Sequence, residues 1–217
     1  MNKAAAKPNS DWKDGFLFLG NHLALDFLNT RPVQNGQLIE LLPDFSALLR
    51  WFRAAGLISS REVAVLHHRW AESAQARRTL RALRDLREKL RKEIPSWERG
   101  TAIHRGTIDR LNTLMAEHPM RTRLEANRGK SLTKQYFEPR QPEDLFAPIA
   151  HGAATMFSTL NRKRVRKCDQ CMLHFHDTSK KGTRRWCSMR LCGNRLKVAA
   201  YAARRHQPVD GHGNRTI

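Results

Sequence analysis

Cys168-Asp169-Gln170-Cys171 opens, and Cys187-Ser188-Met189-Arg190-Leu191-Cys192 closes, the stretch on which the reading of this chain turns. The spacing is C-x2-C, fifteen residues, then C-x4-C, and these are the four cysteines of a 217-residue sequence. Two tight cysteine pairs at that separation have the spacing of a tetrahedral zinc site. A pair two residues apart grips an ion from a turn, and the intervening residues are long enough to double back and deliver the second pair. Two disulfides, or four unrelated core thiols, are the competing readings. Clustering in one segment of a chain with intracellular character favours zinc. Four thiolates fill the metal's shell and leave no position for water, so this zinc is expected to stabilise structure and to generate no hydroxide. His174 and His176 lie between the pairs and could replace a cysteine. With the thiolate count complete, they read better as strand side chains alternating with Phe175.

The flanking residues give the module a shape. Residues 173–177 alternate as a short strand, and residues 178–182 form a basic, turn-rich loop. Arg184-Arg185-Trp186 is expected to return as the second strand. Ser188 is a good helix N-cap, and the alanine-rich sequence to about Arg205 suits a helix carrying Cys192 in its first turns. Knuckle, hairpin and ligand-bearing helix together predict a small treble-clef-like zinc finger.

These residues carry a resemblance. Trp186-Cys187-Ser188-Met189 followed by Cys192-Gly193-Asn194-Arg195, with Asp177-Thr178-Ser179 before the basic loop, resembles the CGNR zinc-finger family. Residues 16–31, FLFLGNHLALDFLNTR, are similar to the opening of the ABATE domain, which usually precedes that finger. The resemblance implies a bacterial, stress-induced type of transcription regulator whose finger is the DNA-binding part.

Composition points to a nucleic-acid partner independently. The chain has 40 Lys plus Arg against 20 Asp plus Glu, a net +20, and residues 161–217 hold fifteen of the cations and three Asp, a net +12. Zinc on four thiolates subtracts two from that figure. Such a field favours phosphate backbones through counterion release, and anionic membrane surfaces less specifically. Surplus arginine on an ordinary soluble protein is the bland alternative. If residues 188–205 are helical, Arg190, Lys197 and Arg204 form one stripe with Tyr201 beside it, while Leu196, Ala199 and Ala203 fall on another face with Cys192. Arg184, Arg185, Arg190, Arg195, Lys197, Tyr201, Arg204 and Arg205 are therefore the candidate nucleic-acid contacts. Asn194 and Arg195 could reach base edges, although a structural role around Cys192 suits them and Gly193 better.

Four segments follow: a tail (residues 1–14), a helix-dominated α+β domain (15–160), the finger (161–206) and a second tail (207–217). The first residues form no signal peptide, and no run reaches the roughly eighteen apolar residues needed to span a bilayer. A cytoplasmic, nucleoid-associated protein with no membrane partner is expected. Residues 16–19 read as a strand, and residues 23–28 as strand or short helix. Asp44 can cap a helix bearing Phe45, Leu48, Leu49 and Phe52, ended by Gly56; Ser59 and Glu62 offer a capping box for the next. Residues 60–94 form one helix or two, with a weak point at residues 72–76 and a stop at Pro95. A helix holding Ile103, Ile108, Leu111, Leu114 and Met115 precedes Pro119. Residues 121–124 and 131–137 read as a β-hairpin around Asn127 and Gly129, and residues 144–160 as an amphipathic helix. The arginine-dense residues 77–92 read as a solvated face, or a second phosphate contact.

The sequence contains no phosphate loop, HExxH or nucleophile elbow, and no enzyme activity is predicted. His22, Asp26 and Asn29 would share one face of a helix and could form a small polar ligand pocket, or serve as caps and backbone ligands at a strand–helix junction. Duplex DNA, by resemblance and charge, is the expected partner. RNA is the first alternative, to be recognised by aromatics displayed on a sheet. An enzyme would show a deep pocket with paired ionisable groups, and an adaptor a large apolar patch on the finger.

Overall fold

The computed structural model describes residues 12–34, 36–127 and 130–193. Two small antiparallel ribbons begin the chain: β1 (Trp12–Lys13) with β2 (Phe16–Leu17), and β3 (Val33–Gln34) with β4 (Gln37–Leu38). Between them lies α1 (Leu23–Leu28), the segment whose periodicity suited strand or helix. His22 decides for helix, its Nδ1 accepting from Ala24 N, and five of the six α1 residues are buried.

The helices follow their caps. Asp44 Oδ1 accepts from Ala47 N at 2.7 Å at the start of α2 (Phe45–Ala54), and Gly56, at φ +75°, turns the chain out of it. Ser59 and Glu62 form the expected capping box of α3 (Ser60–Trp70). Residues 60–94 are two helices, because Ser73 caps a separate α4 (Ala74–Glu98). Pro95 does not end α4. Proline forfeits one backbone bond but its fixed φ is helical, and burial of Ile94 and Trp97, the latter edge-on to Phe157 at 5.3 Å, carries the helix a further turn. After α5 (Arg105–Glu117), strands β5 (Arg121–Asn127) and β6 (Lys130–Tyr136) form the expected hairpin, with Arg121 opposite Tyr136. A 3-10 turn (Pro142–Leu145) leads into α6 (Phe146–Thr159).

One apolar core joins α1, α2, α4 and α6, with Leu25, Leu48, Trp51, Leu83, Leu90 and Ile149 at its centre. The arginine-rich face of α4 is not simply solvated. Arg87 is 1% exposed, donates to Thr30 Oγ1 and pairs with Glu40; Arg84 reaches Leu42 O, and Arg91 reaches Arg31 O at 3.1 Å. These three cations pin the β3–β4 segment and the α1 exit onto α4. No described helix is long and apolar enough to cross a membrane. A second 3-10 turn (Arg162–Arg164) hands the chain to β7 (Val165–Lys167) and β8 (His174–His176), the hairpin of the cysteine module.

Candidate metal centre

The first cysteine pair sits in the turn of the β7–β8 hairpin. Cys168 N donates to Leu173 O at 2.8 Å and Met172 N to Cys168 O at 3.1 Å, with Met172 in the left-handed region at φ +62°. This tight reversal aims both sulfurs to one side. The second pair is held by a different device. Ser188 O accepts from both Cys192 N (3.0 Å) and Gly193 N (3.1 Å), forming a single wide turn, Met189–Gly193, and Arg184 donates to Cys187 O. Ser188 thus starts the turn, as its place before a helix suggests. A Cβ on Gly193 would lie 2.8 Å from Met189 Sδ, so a side chain there would have to displace the thioether.

All four Sγ atoms lie within 4.8 Å of one another. Cys171 and Cys187 are 3.5 Å apart, and Cys187 and Cys192 3.7 Å. A tetrahedron with metal–sulfur bonds of about 2.3 Å has edges of about 3.8 Å, whereas a disulfide requires about 2.05 Å. The donor set therefore fits zinc, and its crowding demands a cation. Hydrogen bonds from Cys171 and Cys187 hold the Cys168 thiol far below its usual range, and donating them pushes Cys171 up to about 12 and Cys187 up as well. A dication lets all four be thiolates together. His174 and His176 lie outside the cluster: they are strand residues of β8, as their alternation with Phe175 suggests.

The expected return strand at Arg184–Trp186 is absent. β8 pairs instead with β7, the strand before the first cysteine. The backbone of residues 184 and 185 is committed elsewhere: Arg184 N donates to Asp177 Oδ2 at 2.8 Å, and Arg185 O accepts from Asp169 N at 3.2 Å. Asp177 organises this side. It is fully buried, and its other oxygen accepts from Ser179 N at 2.9 Å. Burial alone would raise its pKa, but these hydrogen bonds and the Arg184 charge hold it at about 2. Arg164 closes the loop, donating to Asp177 O at 3.1 Å and Ser179 O at 2.7 Å.

The other edge of β8 is covered by the N-terminal domain. Asn29 clasps His174 with both ends of its amide, Nδ2 donating to His174 O at 2.8 Å and Oδ1 accepting from His174 N at 2.9 Å. His176 N donates to Gly20 O at 2.8 Å, and Asn21 Nδ2 donates to His176 O at 2.9 Å. All four outward backbone groups of residues 174 and 176 are satisfied from residues 20–29. Leu19 is buried in the same cluster as Cys168, Leu173, Phe175, Cys187 and Cys192, with Leu17 packed against it. Gly20 admits no side chain, since a Cβ would meet Asp26 N at 2.8 Å and Leu25 Cβ at 2.7 Å. Asp26 Oδ1 accepts from Gly20 N at 2.7 Å, fixing the carbonyl that β8 uses. His22, Asp26 and Asn29 accordingly act as cap, brace and clasp. Spacing within the motif brought them together, but only the tertiary structure reveals that their target is the finger.

Among the candidate nucleic-acid contacts, Arg184 and Arg185 have structural partners: Arg184 lies over the Phe175 ring, and Arg185 pairs with Asp169 at 2.9 Å while lying over Trp186. Arg190 is exposed on the ligand turn. Arg195, Lys197, Tyr201, Arg204 and Arg205, with the helix expected to bear them, lie outside the described residues.

Comparison with protein families returns two matches. Residues 21–159 are similar to ABATE, described as "Putative stress-induced transcription regulator", and residues 164–205 to the CGNR zinc finger. A search of curated proteins found no match. The finger match and the sulfur geometry together establish a single structural zinc site.

Proposed function

We propose that this chain, which belongs to the ABATE family and carries a C-terminal CGNR zinc finger, is a non-enzymatic transcription regulator that grips duplex DNA with the finger. The carrying observation is the charge of the finger. Residues 161–193 hold ten Lys or Arg against two Asp. Neither acid offers its charge outward unopposed: Asp177 is buried in the loop it organises, and Asp169 is paired with Arg185. What the finger presents is therefore overwhelmingly positive, the footprint of a phosphate-binding module. The stripe of Arg190, Lys197 and Arg204, with Arg195, Tyr201 and Arg205, extends it in this reading. The finger's hairpin aromatic, Phe175, is fully buried, so it is not displayed for base stacking as single-stranded RNA recognition would require. Among the finger's described residues, the exposed large apolar side chains are Met172 and Met189, a small area for an adaptor.

Among the described residues, the enzyme reading has the His118–Asp144 pair to consider. His118 Nδ1 lies 3.1 Å from Asp144 Oδ1 in a cavity of about 400 Å³ beside Arg121 and Arg140. Asp144 Oδ2 accepts from Arg140 N and Gln141 N, and the His118 ring stacks on Phe146, so this pair anchors the turn into α6. Zinc closed by four thiolates offers no open position either. In this reading the N-terminal domain positions the finger, and the protein associates with the nucleoid. The test is crosslinking in cells followed by sequencing of all recovered nucleic acid. Enrichment of discrete DNA regions, lost in a Cys171→Ala variant, supports the proposal; recovery of RNA alone, or of no nucleic acid, overturns it.

A further inference from the structure

At the junction of the two domains lies a groove of about 290 Å³, lined in part by Arg184 and Arg185 of the candidate contacts. One wall is the end of α4, at Glu98. The other is the linker and finger, contributing Arg162, Lys163, Arg166, Lys167, Arg184 and Arg185. Asp169 also lines it, already paired with Arg185. Six cations therefore line one small groove. Lys163 and Lys167 are exposed and lie within ion-pair distance of no carboxylate among the described residues. Two wall atoms are buried without a hydrogen-bond partner, Glu98 Oε1 and Arg166 Nε, the latter 3.9 Å from Asp177 Oδ2 as an ion pair. Glu98 lacks the ion pair that such surroundings would be expected to give it, and burial raises its pKa to about 7 against the pull of Lys167, Arg99 and Arg166. Cations so concentrated, with Lys163 and Lys167 exposed and without a carboxylate partner among the described residues, make a receptor for an anion that carries several acceptor oxygens.

We propose that this groove seats a backbone phosphodiester of the bound DNA, held chiefly by Lys163 and Lys167, with Glu98 of the N-terminal domain as the built-in acidic competitor for those cations. The proposal rests on the DNA-binding reading and adds to it that the seat is shared: the finger supplies the cations, and the ABATE domain supplies the group that limits their strength. Because the groove spans both domains, binding there bears on how α4 meets the finger.

The experiment is a titration of the full, zinc-loaded chain against a fluorescent DNA duplex at several salt concentrations, comparing wild type, Lys163→Gln/Lys167→Gln, Lys180→Gln/Lys181→Gln and Glu98→Gln. The two double variants remove the same charge from exposed positions, one in the groove and one in the basic loop outside it. The groove variant should lose about tenfold in affinity, with a log–log salt slope shallower by about 1, and lose more than the loop variant. Glu98→Gln should bind severalfold tighter. Equal losses in both double variants, or unchanged affinity in the groove variant, would overturn the seat; unchanged or weaker binding by Glu98→Gln would overturn its role as competitor. Absence of duplex binding by the wild type would instead sink the DNA reading itself. Phosphorus NMR with inorganic phosphate separates the remaining source: phosphate bound by the wild type and lost in a groove variant that keeps full DNA affinity would assign the groove to a small free anion and contradict the proposal.

Discussion

Replacing Asn29 with alanine should loosen the finger from a distance of 145 residues in sequence. The side chain makes two buried hydrogen bonds, to His174 O and from His174 N. Alanine removes both partners and leaves two backbone groups of β8 buried and unpaired, each costing about 1–3 kcal/mol. The expected loss is about 2–6 kcal/mol of the stability with which β8 is held, moderated if water enters the gap. Asn29→Asp should cost less than alanine if its carboxylate keeps the acceptor for His174 N, although it loses the donor. Two assays separate a local from a general effect. Hydrogen exchange should accelerate in β7, β8 and α1 together, because β8 is bonded to β7 on one edge and to the α1 segment on the other, while α2 and α3 keep their protection. Zinc transfer to a chromogenic chelator should also quicken, since β8 follows the knuckle that holds Cys168 and Cys171. A variant with wild-type exchange at residues 165–176 and an unchanged zinc-release rate would refute the view that the N-terminal motif forms the finger's missing edge.

Further outcomes follow from the same contacts. Cys171→Ala or Cys192→Ala should abolish stoichiometric zinc by elemental analysis and unfold residues 164–193, while α2, α4 and α6 stay protected, because their apolar core excludes the cysteine cluster. Gly20→Ala should be destabilising in chemical denaturation well beyond an ordinary surface substitution, since its Cβ would sit 2.8 Å from Asp26 N; a midpoint equal to wild type would contradict the packing. Burial raises the Asp26 pKa from 3.8 to about 7, against hydrogen bonds from Gly20 and Leu19 and the Lys13 charge. Between about pH 4 and about pH 7 the folded state then keeps a proton that the unfolded state gives up, so this group's contribution to stability falls as pH rises through that window and is level above it. Asp26→Asn should remove that component, and parallel stability–pH curves for variant and wild type would speak against it.

What the sequence revealed was local. Asp44 and the Ser59–Glu62 box are legible because a cap acts on the backbone two or three residues away, and the cysteine spacing is legible because a knuckle is a turn. The errors come from interactions that span the chain. Pro95 reads as a stop by its missing N–H, yet Trp97 and Phe157, far apart in sequence, keep α4 going. Arg184–Trp186 reads as a return strand by its place after a loop, yet β7 had already taken the inner edge of β8 and residues 20–29 the outer one. Arg87 reads as a surface charge in an arginine-rich helix, and only the Thr30 and Glu40 partners explain its burial. Asp177 was visible as part of a motif; its task, fixing the loop between Ser179 and Arg184 that leads to the second cysteine pair, was not.

The central claim is that the zinc-bound, basic finger grips DNA through its phosphates. It is tested most directly by fluorescence anisotropy of a duplex with the zinc-loaded chain over a series of salt concentrations, repeated after chelation. Affinity should fall linearly in a log–log plot, by about 0.9 per phosphate neutralised, and should be lost when zinc is withdrawn. No binding at low salt, or binding indifferent to salt and to zinc removal, would contradict the account.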